Sequence, residues 1–162
     1  MKEIKLLSLD QATGISGVAV FVDKKLIKYD MINLNKNKDT TSRFQEMTEK
    51  IEKWIENENP DIVIFEDVSL QSNISSLLLL ARLQGTIMQI CFANNIPFKI
   101  YKPTTWRKAL NFRQGNKVKR DELKQQSIDF VNDKYGVLVT DDISDAICIG
   151  EAYINNEFKG ED

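Results

Sequence analysis

Four carboxylates, Asp10, Glu66, Asp142 and Asp145, stand at positions in the chain suited to holding a divalent cation. Asp10 closes the apolar run from Ile4, and Glu66 closes Asp61 to Glu66, which is apolar at consecutive positions. An acid at the end of a buried strand is costly without a partner, and a divalent cation is a suitable one. Taken singly, either residue also reads as the plain start of a loop. Asp142 and Asp145 lie three apart in a helical pattern and share a face, which continues through Ile149, Ala152 and Tyr153. Two acids therefore point toward whatever that helix packs on. Asp142 alone also reads as a first-turn acid favoured by the helix dipole, with Thr140 or Asp141 as cap, but that leaves Asp145 unexplained. Asp67 and Asp141 rank lower, because alternation turns Asp67 to the opposite face and Asp141 sits at the helix boundary. Four carboxylates are hard oxygen ligands of the kind Mg²⁺ or Mn²⁺ prefers. Two ions among them would suit in-line phosphodiester displacement, one acidifying a water and the other stabilising the leaving oxygen, with Glu66 between them.

Composition removes other chemistries. The chain has no histidine, which excludes a His general base, Ser-His-Asp and Cys-His triads and every His-containing zinc site. Cys91 and Cys148 sit in apolar stretches and read as reduced core residues of a cytoplasmic protein. With 162 residues, 42% hydrophobic and 28% charged, the expectation is one domain over residues 1–162. The opening MKEIKLLSLDQ is too short and too interrupted for a signal peptide. The apolar run Ser76 to Ala81 is followed by Arg82, Gln84 and Gln89, well short of the ~20 apolar residues a span requires, so no membrane partner is expected.

The net charge of −2 conceals a division along the chain. From Lys99 to Lys124 nine basic residues face two acids, a surplus of seven, whereas from Asp129 to Asp162 nine acids face two lysines. Tyr101, Trp106 and Phe112 lie within the basic segment, and cations interleaved with aromatics suit phosphate contact and base stacking. A solvated helical face over a few core aromatics has the same pattern.

Periodicity assigns the strands and helices around these residues. Residues 4–10, 15–22 and 25–34 read as an antiparallel meander. Asn35 to Asp39 is polar loop, and Ser42 with Gln45 resembles a capping box opening an amphipathic helix over about 43–58. A buried parallel strand over 61–66, a helix over 74–95, a strand over 97–101 and a short helix from Pro103 to about Leu110 come next. Helices over about 118–134 and 142–156 follow. The 74–95 helix is apolar around much of its cylinder and needs two apolar neighbours, the sheet and either the rest of the core or a second copy of the chain. The expected class is α/β, a five-stranded mixed sheet with an antiparallel meander of the first three strands, parallel fourth and fifth strands, and flanking helices.

The segments Leu9-Asp10 with Gly14 and Gly17, Ile64-Phe65-Glu66, and Asp142-Ile-Ser-Asp145-Ala146 resemble the RuvC-like Holliday-junction resolvases of the RNase H-like fold. The stretch from Glu66 through Asn73, Leu77 and Leu80 to Gln84-Gly85 is similar to that family's second acid followed by its long central helix. The resemblance covers nearly the whole chain. It implies a metal-binding catalytic tetrad of Asp10, Glu66, Asp142 and Asp145, two Mg²⁺ ions (Mn²⁺ substituting), and a homodimer paired through the central helix, with Leu80, Leu83 and Ile87 at the interface. It also implies branched DNA as partner and no nucleotide cofactor. Lys102-Pro103-Thr-Thr-Trp106-Arg107, with Lys117 and Lys119, matches the family's basic DNA contacts, which implies DNA-binding roles for Arg107, Trp106, Lys117 and Lys119. The family commonly has an aromatic three positions after the second acid, at the junction centre. Here Ser69 stands there, with Leu70 as a weak substitute or with relaxed junction selectivity.

Three other functions compete. An RNase H-like nuclease acting on RNA, as in YqgF-like proteins, keeps the fold and changes the substrate. A sugar-kinase or actin-like ATPase would need a second phosphate loop and a second lobe, for which seven glycines and 162 residues leave no room. A protein that binds branched DNA without cutting it would leave four inward acids to repel one another.

Overall fold

The computed structural model describes residues 2–34, 39–69 and 73–158. The strands are β1 (Lys5–Asp10), β2 (Ile15–Val22), β3 (Lys25–Asn33), β4 (Ile62–Glu66) and β5 (Phe98–Tyr101). The helices are α1 (Thr40–Glu58), α2 (Ile74–Ala93), α3 (Pro103–Ala109), α4 (Arg120–Tyr135) and α5 (Asp141–Glu157). The sheet has the order β3-β2-β1-β4-β5, antiparallel across β3, β2 and β1 and parallel across β1, β4 and β5. This is the mixed sheet expected from the sequence.

Alternation along the strands supplies two cores. Leu7, Leu9, Val18, Val20, Val63 and Phe65 pack under α1 and α2, against Met47, Ile51, Ile55, Leu83, Ile87 and Cys91. Leu6, Ala19, Phe21 and Ile64 point the other way, toward Trp106, Val131, Ala146, Ile147 and Ile149 of α3, α4 and α5. Because side chains alternate faces, Asp10 follows Leu6 and Ser8, and Glu66 follows Ile64, onto the α5 side. The Ser8 hydroxyl donates to the Ala146 carbonyl at 2.7 Å and ties α5 to β1.

The start of α1 differs from the expected capping box. Asp39 is the cap, its carboxylate accepting from the Ser42 N–H at 3.0 Å and the Ser42 hydroxyl at 2.7 Å, while Gln45 turns along the helix to Glu49. Asp39 competes for the same backbone donors and accepts them as an anion, the stronger arrangement at a helix start.

The central helix also requires a correction. Leu83 and Ile87 are fully buried in the chain's own core, so they face α1 and the sheet and cannot form a surface for a second copy. Leu80 is half-buried. The outward apolar residues of α2 are Ile74, Leu78 and Phe92, exposed by 72%, 47% and 59%. By length and composition α2 could cross a membrane, but its buried residues belong to the core of this sheet.

Candidate active site

Asp10 and Glu66 end adjacent parallel strands, and the first turn of α5 is laid across them. Gly17 makes that approach possible. It pairs with Asp10 in the β1–β2 register, and a Cβ there would overlap the Asp142 carbonyl. Thr140 caps α5 by accepting from the Ile143 N–H, which orients the turn carrying Asp142. Asp142 and Asp145 then face the strand ends, and Asp10, Glu66, Asp141, Asp142 and Asp145 line one groove of about 650 Å³.

Glu66 is held from two directions. Gln11 donates to its backbone carbonyl at 2.7 Å and accepts from its N–H at 3.3 Å. The Trp106 indole N–H donates to Oε2 of its carboxylate at 2.7 Å. Asp67 also borders this groove, but its carboxylate turns toward α2, where it accepts from Gln84 at 3.3 Å, and Asp141 pairs with Lys124 at 3.1 Å.

The electrostatics are those of an acid cluster short of cations. Burial, then the negative charge of Asp145, Glu66, Asp142 and Asp141, pushes the Asp10 carboxyl well above its ordinary range. Burial raises Glu66 too, opposed by the Trp106 N–H and by Arg107. Asp142 is raised by burial and by Asp141. Asp145 is pushed up to about 7, chiefly by burial, with Glu66 adding to the rise and Ser127 and Arg107 opposing it. The Ser127 hydroxyl is buried without a well-formed hydrogen bond among the described residues. Among the described residues the acids are not drawn into a closed three-ligand set. Their type, burial and mutual repulsion fit a hard divalent cation, which would supply the missing positive charge. A second hollow of about 550 Å³ between β3 and α1 contains Glu58, but Lys5 and Lys28 already engage that acid.

A family model described as crossover junction endodeoxyribonuclease RuvC matches residues 7–151. The chain belongs to the RuvC family. Curated relatives of that name include proteins from Bacteroides fragilis, 26% identical over 155 residues covering 91% of this chain and 82% of the relative, and from Christiangramia forsetii, 25% identical over 167 residues covering 97% and 86%. A RuvC from Cytophaga hutchinsonii is 28% identical over 102 residues, 60% of this chain and about half (51%) of that protein. Thermus thermophilus RuvC in complex with a Holliday junction substrate superposes with a TM-score of 0.76 at 12% identity, covering 97% of both chains. Fowlpox virus resolvase in complex with Holliday junction DNA gives 0.63 at 20% identity, covering 96% of this chain and all (100%) of the other. At such identities these structures establish the fold, which is the RuvC variety of the RNase H-like fold.

Within this RuvC-family fold the basic residues divide. Arg107 lines the groove with its guanidinium carbon 5.0 Å from the centre of the Trp106 ring, and its Nε is buried without a hydrogen-bond partner among the described residues. Lys117 and Lys119 are exposed in the segment before α4, outside the groove lining. Lys102, Arg120 and Lys124 do line it, and the charge surplus of their segment was the sequence signal for them. Ser69 is exposed at the groove edge, and Leu70 lies outside the described residues. Trp106 cannot stack on a nucleic-acid base. Its ring is fully buried, edge-on to Phe112, which is in turn edge-on to Phe130, so this aromatic row is core.

Proposed function

We propose that this RuvC-family chain is, as one nuclease domain, a divalent-metal-dependent endodeoxyribonuclease that resolves four-way DNA junctions by paired symmetric nicks. The observation carrying this reading is the meeting of Asp10, Glu66, Asp142 and Asp145 in one groove whose walls carry Lys102, Arg107, Arg120 and Lys124. The four acids would hold two Mg²⁺ ions, or Mn²⁺ in their place. Such ions would supply an acidified water and positive charge for the leaving oxygen of the phosphodiester.

The chain's own side chains do the rest. Arg107, close enough to Glu66 and Asp145 to favour their ionised forms, brings a permanent cation to the place a scissile phosphate must occupy. Lys102 and Arg120 extend the positive wall, while exposed Lys117 and Lys119 reach backbone phosphates further along an arm. Ser69, at the groove edge, stands where the junction centre would lie.

Paired nicks need two sites, and α2 offers a surface for a second copy. Ile74, Leu78, Ala81, Gly85, Met88 and Phe92 recur at alternating spacings of four and three, the pattern of a coiled-coil seam, with small residues in the middle permitting close approach. Buried free Cys91 and Cys148 suit a reducing, cytoplasmic setting.

The deciding experiment is cleavage of an immobile four-way DNA junction with Mg²⁺ and with EDTA, against duplex DNA and structured RNA. Symmetric metal-dependent nicks in the junction are expected. Cutting of RNA alone, or tight junction binding without cutting, would overturn the reading.

A further inference from the structure

We infer that Trp106 is a positioning residue for the reaction: its indole N–H holds one oxygen of Glu66 and so sets which oxygen of that carboxylate is presented to the ion site. The inference deepens the proposed function and rests on it. An indole buried in a protein core must find an acceptor for its N–H, and a core position needing only bulk is filled more simply by Phe or Leu. Trp106 is fully buried, and the acceptor it meets is a carboxylate of the acid cluster, 40 residues away in sequence. A hydrogen bond to a charged oxygen at 2.7 Å is of the stronger kind.

The two holds on Glu66 are separable. Gln11, from the end of β1, fixes the backbone of Glu66 through both its carbonyl and its N–H. Nothing in that pair restrains rotation of the carboxylate. Trp106 does so by engaging Oε2, so that Oε1 would be the oxygen presented to a cation. The ring is itself steadied by Phe112 at 5.9 Å, and Arg107 is drawn over it at 5.0 Å. One turn of α3 therefore sets both the orientation of an acid and the place of the neighbouring cation. Loss of the N–H should leave the fold and the Glu66 backbone in place while freeing the carboxylate.

Trp54 and Trp106 are the chain's two tryptophans, so Trp54→Phe, on α1 outside the groove, leaves Trp106 alone. Global replacement of the remaining tryptophan by 3-benzothienylalanine then substitutes sulfur for the N–H in a ring of nearly the same shape, and Trp106→Phe provides a second variant. The readouts are Mn²⁺ affinity from the electron paramagnetic resonance signal of free Mn²⁺, single-turnover cleavage of the four-way junction, junction binding in EDTA, and melting temperature.

The isostere is expected to bind Mn²⁺ about tenfold more weakly and to cut about 10- to 100-fold more slowly. Its junction binding in EDTA and its melting temperature should stay close to those of the Trp54→Phe parent. Unchanged Mn²⁺ affinity and cleavage in the isostere would overturn the inference. So would losses that follow the melting temperature across the two variants, since a ring that merely fills the core behaves that way. If the parent binds Mn²⁺ but cuts no branched DNA, the proposed function fails, whereas the Mn²⁺ titration still decides the role of Trp106. A parent that binds no Mn²⁺ removes both.

Discussion

Gly17 of β2 and Asp142 of α5 are in backbone contact: a Cβ on the glycine would overlap the Asp142 carbonyl group and press on the Ile143 nitrogen at 3.1 Å. The glycine also pairs directly with Asp10. The same close approach that seats α5 on the sheet thus brings Asp142 and Asp145 to the acids at the strand ends. Gly17→Ala should push the first turn of α5 outward, at a stability cost of about 1–3 kcal/mol, typical of overpacking, and with a larger loss of cleavage than of folding. Urea unfolding and junction cleavage, measured side by side, check this. A fully active, fully stable variant would show that the turn can shift freely.

Asp10→Asn and Glu66→Gln remove a negative oxygen donor each while preserving shape. Both should abolish metal-dependent nicking and leave junction binding in EDTA nearly intact. Gel shift and cleavage on the same junction separate the two effects. Retained cutting would take that residue out of the mechanism.

The metal-free protein should lose stability as pH rises. Asp145 has an ordinary value of 3.8 and is pushed up to about 7 in the fold, so the folded state binds more protons than the unfolded state between those limits. Stability therefore falls progressively from about pH 4 to 7 as buried carboxylates are forced to ionise beside one another, with Asp10 shifted in the same direction. In EDTA the melting temperature should drop between pH 5 and pH 7.5. Asp145→Asn should flatten that slope, and excess Mg²⁺ at pH 7.5 should restore the melting temperature. A flat profile in the unsubstituted chain would contradict the repulsion.

Arg107 and Lys119 should differ when each is replaced by alanine. Loss of Lys119, exposed outside the groove, should weaken junction binding and lower the salt slope by about one, with little effect on the cutting rate of bound DNA. Arg107 lines the groove beside Glu66 and Asp145, so its loss should slow single-turnover cleavage of fully bound junction as well. Identical phenotypes would place both cations in the same role.

Leu78→Glu or Phe92→Glu, on the exposed face of α2, should yield a folded monomer if that face pairs two copies. Ile87→Glu should instead unfold the chain, because it puts a charge into the core. Sedimentation and circular dichroism distinguish the outcomes. A dimer that survives both surface changes lies on another surface.

The acids were legible in the sequence because their signal is local. An apolar run that ends in a carboxylate states both burial and position, and alternation alone assigns Asp10 and Glu66 to one face and Asp67 to the other, where it meets Gln84. The cap of α1 lies three residues before the Ser42 expected from the sequence, since Asp39 and Ser42 both match a helix start and only the hydrogen bonds distinguish them.

Residue types and periods of two and 3.6 were enough to order the strands and helices, to single out the candidate acids and to exclude histidine chemistry. Packing chose which face of α2 is buried, because a helix apolar around most of its cylinder offers more than one apolar stripe, and the sheet took Leu83 and Ile87 while leaving Leu78 and Phe92 outside. It also decided the partner of Trp106. An aromatic among cations fits either base stacking or a core, and the contact with Glu66 exists only because α3 is folded back over the end of β4.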